Sequence, residues 1–146
     1  MRRLLAFLVL LACLHTGQAV PARGDESFKI VVDAANPVSS LSKTEASRLF
    51  LKKRSRWDHG IRVFPVDQLP AGSVRQAFSR QVHGRSVDAV KGYWQAQLFS
   101  GNATPPPEVA SDADVLDYVR SHDGAIGYVT GSARITEGVK VLTLTE

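Results

Sequence analysis

Gln68, Gly72, Ser73, Val74 and Arg75 combine, within one short stretch, residue types and spacing that suit an anion contact. They lie in R-V-F-P-V-D-Q-L-P-A-G-S-V-R-Q-A-F, from Arg62 to Phe78, which reads as an apolar run, a Pro/Gly loop and a helix-patterned segment. A strand feeding a helix through small residues aims free backbone N–H groups and the positive end of the helix dipole at one point. The amides of Gly72, Ser73 and Val74, the Ser73 hydroxyl, and Arg75 if it turns inward would form the contact. Gly72-Ser73 reads equally as a plain helix start. Asp67 either orients the loop or caps a backbone N–H.

Other chemistry is poorly supplied. His59, His83 and His122 sit in three separate turns without metal-ligand spacing such as H-x-x-x-H, so surface or capping roles suit them better. Ser73 follows a strand-to-helix turn, but G-x-S-x-G is absent and no triad order can be drawn. The reading is therefore of a non-enzyme with no cofactor and no metal. The basic run Lys52-Lys53-Arg54-Ser55-Arg56 fits a solvated helix C-terminus better than a nucleic-acid contact.

The elements that must position the loop follow from periodicity and punctuation. Phe28 to Asp33 is a β-branched run whose consecutive Ile30, Val31 and Val32 imply burial on both faces, as in a parallel sheet. Asn36, Pro37, Ser39 and Ser40 make the next loop, and Ser42-Lys43-Thr44-Glu45 is a capping box. It opens a helix carrying Ala46, Leu49 and Phe50 inward, with its end expected near Lys53. Arg62 to Val66 is the second strand. Val74, Ala77, Phe78 and Val82 make one helical stripe that stops at Gly84. Ser86 caps another helix, with Val87, Val90, Trp94 and Leu98 inward and a stop at Gly101. Three consecutive prolines make Asn102 to Pro107 an extended connector. Ser111 caps a helix with Leu116 and Val119 inward, Ala125 to Val129 is a strand whose Gly127 permits close approach, and Val139 to Leu144 is the last strand. Strands separated by helices predict a layered α/β domain with a mostly parallel central sheet flanked by helices.

The first 19 residues read as an export signal: Arg2 and Arg3, an apolar run from Leu4 to Leu14, and Gly17-Gln18-Ala19 as the cleavage site, after Ala19. The run is about half the roughly 20 residues needed to span a bilayer, so no stable membrane span is expected. Leu10-Leu11-Ala12-Cys13 also resembles a lipoprotein box, and lipid attachment at Cys13 is the rival route. The sequence holds one cysteine, and cleavage after Ala19 removes it, taking disulfides and thiolate sites with it. Half of the formal +4 charge belongs to Arg2 and Arg3, so charge says little about partners. Residues 20–27 form a flexible leader, and 28–146 a single domain.

Several segments in order carry a resemblance: Asn36-Pro37-Val38-Ser39-Ser40-Leu41-Ser42, Leu49-Phe50-Leu51-Lys52 ahead of Trp57-Asp58-His59-Gly60, the Val63 to Val66 strand, and Gly124-Ala125-Ile126-Gly127-Tyr128. Together they resemble the periplasmic phosphate-binding proteins of bacterial ABC transporters, across nearly all of residues 28–146. The resemblance implies one periplasmic-binding-protein-like (type II) lobe, phosphate or a related small anion as ligand, and a periplasmic or secreted location. It also implies transporter membrane components, or a second copy of the chain, as partners, and no nucleic acid. Such proteins have two lobes that close on the ligand, and this chain offers one. Their helix usually opens with Gly-Ser-Gly-Thr-Arg, with another Arg a few residues earlier. Here Ala71-Gly72-Ser73-Val74-Arg75 takes that place, and Gln68 stands where the earlier Arg falls. A charge-assisted hydrogen bond contributes about 1.5–3 kcal/mol, so these replacements imply weak anion binding, or a degenerate lobe serving as an interaction or regulatory module. Ser39 and Ser40 either touch the ligand or only turn the chain.

Overall fold

The apolar run Phe28–Asp33 forms β1, and the computed structural model, which describes residues 27–146, places it at the centre of a five-stranded sheet. The export-signal reading and nearly all of the leader lie outside the described residues. Along the chain follow β2 (Ser40–Ser42), α1 (Lys43–Phe50), β3 (Phe64–Pro65), β4 (Asp67–Gln68), α2 (Ser73–Phe78) and a π-helical turn over Ser79–His83. Then come α3 (Val87–Phe99), β5 (Glu108–Val109), α4 (Asp112–Ser121), β6 (Ala125–Thr130) and β7 (Val139–Thr145). The sheet order is β2-β7-β1-β6-β3, with β4 and β5 pairing in parallel beside it.

The sheet is mixed, which corrects the mostly parallel expectation. Only the edge pairings, β2 with β7 and β3 with β6, are parallel; β1 runs antiparallel to both of its neighbours. The expected burial on both faces of β1 is present. Ile30 and Val32 enter one core with Ile126, Tyr128 and Leu142 beneath α1 and α2, whereas Val31 enters a second with Ala125, Val129 and Val139 beneath α4. A central strand covered by helices on both sides needs a continuous apolar run whatever the direction of its neighbours.

Local signals set the helix ends. Ser42 and Glu45 form the capping box that starts α1: the Glu45 N–H donates to Ser42 Oγ at 3.2 Å and the Ser42 N–H to Glu45 Oε2 at 3.1 Å. The helix ends at Phe50 rather than near Lys53. Lys52 N–H donates to Leu49 O and Lys53 N–H to Arg48 O, a Schellman closure with Lys52 in the left-handed position at φ 53°. Gly84, at φ 62°, stops the π-helical turn. In α3 the inward stripe stops short: Val90 and Trp94 are buried against Leu51, but Leu98 is 52% exposed.

The expected strand Arg62 to Val66 is shorter than its pattern. Pro65 has no N–H to donate, and only Phe64–Pro65 pair with β6. Val66 N–H still donates to Ile126 O, then Asp67 N–H turns to Pro107 O and the chain joins β5 instead. Gly127 lies where α4 crosses β6; a Cβ there would sit 2.6 Å from Val115 Cγ1 and 2.9 Å from Val66 Cγ1. Among the described residues, no helix is long and apolar enough to cross a membrane.

Candidate functional site

The loop opened by β4 folds back on itself, with Gly72 N–H donating to Leu69 O at 3.1 Å, and delivers the chain to α2. Gly72 is the N-cap residue and supplies no side-chain acceptor, so the first amides of α2 start without a cap. Gly72 is half-buried, Ser73 exposed, Val74 buried. The strand, loop and helix sequence expected at this point is present.

Arg75 turns inward. It is 3% exposed, and its guanidinium forms an ion pair with the carboxylate of Asp67, itself 4% exposed. Asp67 Oδ1 also accepts from the Tyr128 hydroxyl and, at 3.0 Å, from the Gln68 N–H. Arg75 Nη1 lies 3.5 Å from the Tyr128 oxygen, while Arg75 Nε is buried with no partner. Burial pushes the Arg75 pKa down, against the upward pull of Tyr128 and Glu108. Burial pushes the Tyr128 phenol up to about 12, so it is a neutral donor at ordinary pH. Its ring stacks on Phe78 at 3.9 Å between centroids, which locks the hydroxyl toward Asp67.

Gln68 is committed to the interior as well. Its Nε2 donates to Asp112 Oδ1 at 2.9 Å and to Tyr128 O at 3.0 Å. Asp112, in the first turn of α4, accepts from the Thr130 N–H at 3.1 Å and the Thr130 hydroxyl at 2.6 Å. One polar network therefore ties β4, α2, α4 and the end of β6 together. A carboxylate of the chain itself holds the arginine.

The other candidate residues are placed elsewhere. Ser39 and Ser40 lie at the far edge of the sheet, where Ser39 O accepts from Thr143 N–H and Ser40 pairs with Thr143. Three strand positions separate β2 from β6, so the structure does not bring these serines to Gln68 and Arg75. His83 Nδ1 meets Ser47 Oγ at 2.8 Å, His59 stacks on Trp57, and His122 stacks on Tyr118. Among the described residues no three His, Cys, Asp or Glu side chains form a group that could hold a metal ion. A cavity of about 460 Å³ opens beside the loop between Pro70, Gln76, Arg80 and Ser86, and none of Gln68, Ser73 or Arg75 lines it.

The sequence does not single out Tyr128 or Asp112, and it leaves two roles open for Asp67. A signal was available: a tyrosine in the middle of a buried strand must find a partner for its hydroxyl, and an acid and a base flank the loop as Asp67 and Arg75.

No protein-family model and no curated protein matches the chain. Solved structures do. An ABC-type phosphate transport receptor from Vibrio cholerae superposes with a TM-score of 0.62 at 18% identity, over 81% of this chain and 46% of that one. A putative phosphate ABC transporter substrate-binding protein with bound phosphate from Clostridium perfringens gives 0.65 at 16%, over 81% and 44%. A possible phosphate binding protein from Planctomyces limnophilus gives 0.62 at 14%, over 82% and 42%. The likeness establishes the fold, a periplasmic-binding-protein-like α/β lobe, and the chain spans less than half the length of each structure it matches.

Proposed function

We propose that this chain is an exported, solute-binding-like module of the periplasm that works through protein contacts, with transporter membrane components or with a second copy of itself, rather than by holding phosphate tightly. The Asp67–Arg75 pair carries this reading. A buried guanidinium already paired with a carboxylate offers a ligand little net charge, and displacing Asp67 would strand a buried charge at a cost of about 3–5 kcal/mol. Gln68, at the position of the earlier arginine in the resembled family, is spent on Asp112 and Tyr128.

A second reading is favoured by the start of α2, where Gly72 provides no cap. There the amides of Gly72, Ser73 and Val74 and the Ser73 hydroxyl hold phosphate or a related anion weakly. Titration of the chain with inorganic phosphate in a calorimeter separates the two. Absence of heat at millimolar phosphate, together with specific capture of a membrane component or self-association in light scattering, supports the module. Saturable heat that Ser73→Ala abolishes supports weak anion capture and overturns the first reading.

A further inference from the structure

The basic run that closes α1 is not uniformly solvated. Arg54 pairs with Asp58 and Glu45, Arg56 donates to Gly60 O at 2.8 Å, and Lys53 lies over the Tyr93 ring. The Lys52 side chain has no carboxylate and no hydrogen-bond partner among the described residues, and the Arg62 guanidinium lies over the face of Phe64, 5.5 Å from the ring centroid. Lys52, Arg54 and Arg62 line one cavity of about 100 Å³ together with Val63, Phe64 and Tyr118, and no acidic residue lines it. Burial, and next the Arg62 charge, push the Lys52 pKa down, as expected of two cations gathered without a counter-ion.

The backbone points the same way. Lys52 is the one non-glycine residue with positive φ among the described residues, at the helix-closing position where glycine is relaxed and a side chain is strained. A long cationic side chain is kept there and directed to the cavity lining. The Tyr118 hydroxyl has no partner among the described residues either.

We propose that this cavity binds a small organic carboxylate, its charged end between Lys52 and Arg62 and its apolar body against Val63, Phe64 and the Tyr118 ring. A bare inorganic oxyanion needs donors around most of its surface, and here apolar side chains make up much of the wall. One anionic end and one apolar end match the lining, and the volume limits the ligand to the size of a single ring or a short branched chain. None of Gln68, Gly72, Ser73, Val74 and Arg75 lines the cavity, so the site stands apart from the loop that carries the proposed function.

Amide-resolved NMR titration of the full chain with benzoate, benzyl alcohol and inorganic phosphate at fixed ionic strength tests it. Benzoate is expected to give saturable shifts at residues 52, 62–64 and 118, with benzyl alcohol and phosphate each at least about tenfold weaker there. Lys52→Gln and Arg62→Gln should each weaken benzoate about tenfold. Lys52→Gly relieves the left-handed strain and should raise Tm by a few degrees while losing the same affinity, which separates loss of the site from loss of the fold. No saturable benzoate shift at these residues by tens of millimolar, or equal binding of benzyl alcohol or phosphate, overturns the proposal.

Discussion

Asp67 and Arg75 meet across the loop that joins β4 to α2, with side chains only 5% and 4% exposed, so the charge of each depends on the other for its solvation. Removing one partner leaves a lone buried charge, at a cost of about 3–5 kcal/mol. Arg75→Met and Asp67→Leu should each lose stability on that scale, and the double variant should lose less than the more damaging single. Urea unfolding of the four proteins of the cycle measures this. Additive losses would show that the two side chains do not depend on one another.

His83 makes stability pH-dependent. Burial first, then the charges of Arg75, Arg85 and Lys53, lower its pKa from 6.5 to about 4. The unfolded chain therefore takes up a proton at a higher pH than the folded one does. Stability is full above about pH 6.5 and falls as the pH drops toward 4, by on the order of 2–3 kcal/mol over the whole window. Unfolding free energies at pH 7 and pH 5, compared with those of His83→Gln, isolate this component. An unchanged pH slope in the variant would assign it to other groups.

Two glycines should rank in a set order on replacement by alanine. Gly127→Ala brings a methyl 2.6 Å from Val115 Cγ1, and α4 can yield slightly; a loss of about 1–3 kcal/mol follows. Gly124→Ala meets the Arg62 carbonyl oxygen at 2.2 Å and also sits at φ 80°, so neither backbone nor side chain can relax cheaply. Thermal melts should show Gly124→Ala as the more damaging change, and the reverse order would contradict this packing.

Trp57 ties the turn before β3 to the start of β6 through its Nε1–H, which donates to Gly124 O at 2.9 Å inside the core. Trp57→Phe keeps most of the apolar contact but removes one of the two hydrogen bonds that Gly124 O accepts, the other coming from the Phe64 N–H at 3.2 Å, for about 0.5–1.5 kcal/mol. A drop in Tm with faster amide exchange at Gly124 and Ala125 is expected; unchanged exchange there would deny the bond its role.

Much of the frame was legible because its causes are local. The Ser42/Glu45 capping box, the Gly84 stop and the proline connector act within a few residues of themselves, and each is where the sequence places it. Strand direction was not legible, since Ile30-Val31-Val32 reports only that both faces are covered. Leu98 continues the α3 stripe in sequence, but the packed surface ends at Trp94. In the candidate site, the loop geometry was legible and the partners of its side chains were not. Tyr128 reaches Asp67 across 61 positions of sequence, and only the folded sheet brings those groups together.

The two flanks of the mixed sheet bear on which surfaces a partner could use. β2 offers three residues and β3 two, one of them Pro65, which lacks an N–H. Neither offers the long row of unsatisfied backbone groups on which a foreign strand could zip. β2 and β3 are thus poor templates for strand addition, and the partner contacts proposed above fall to other surfaces of the lobe.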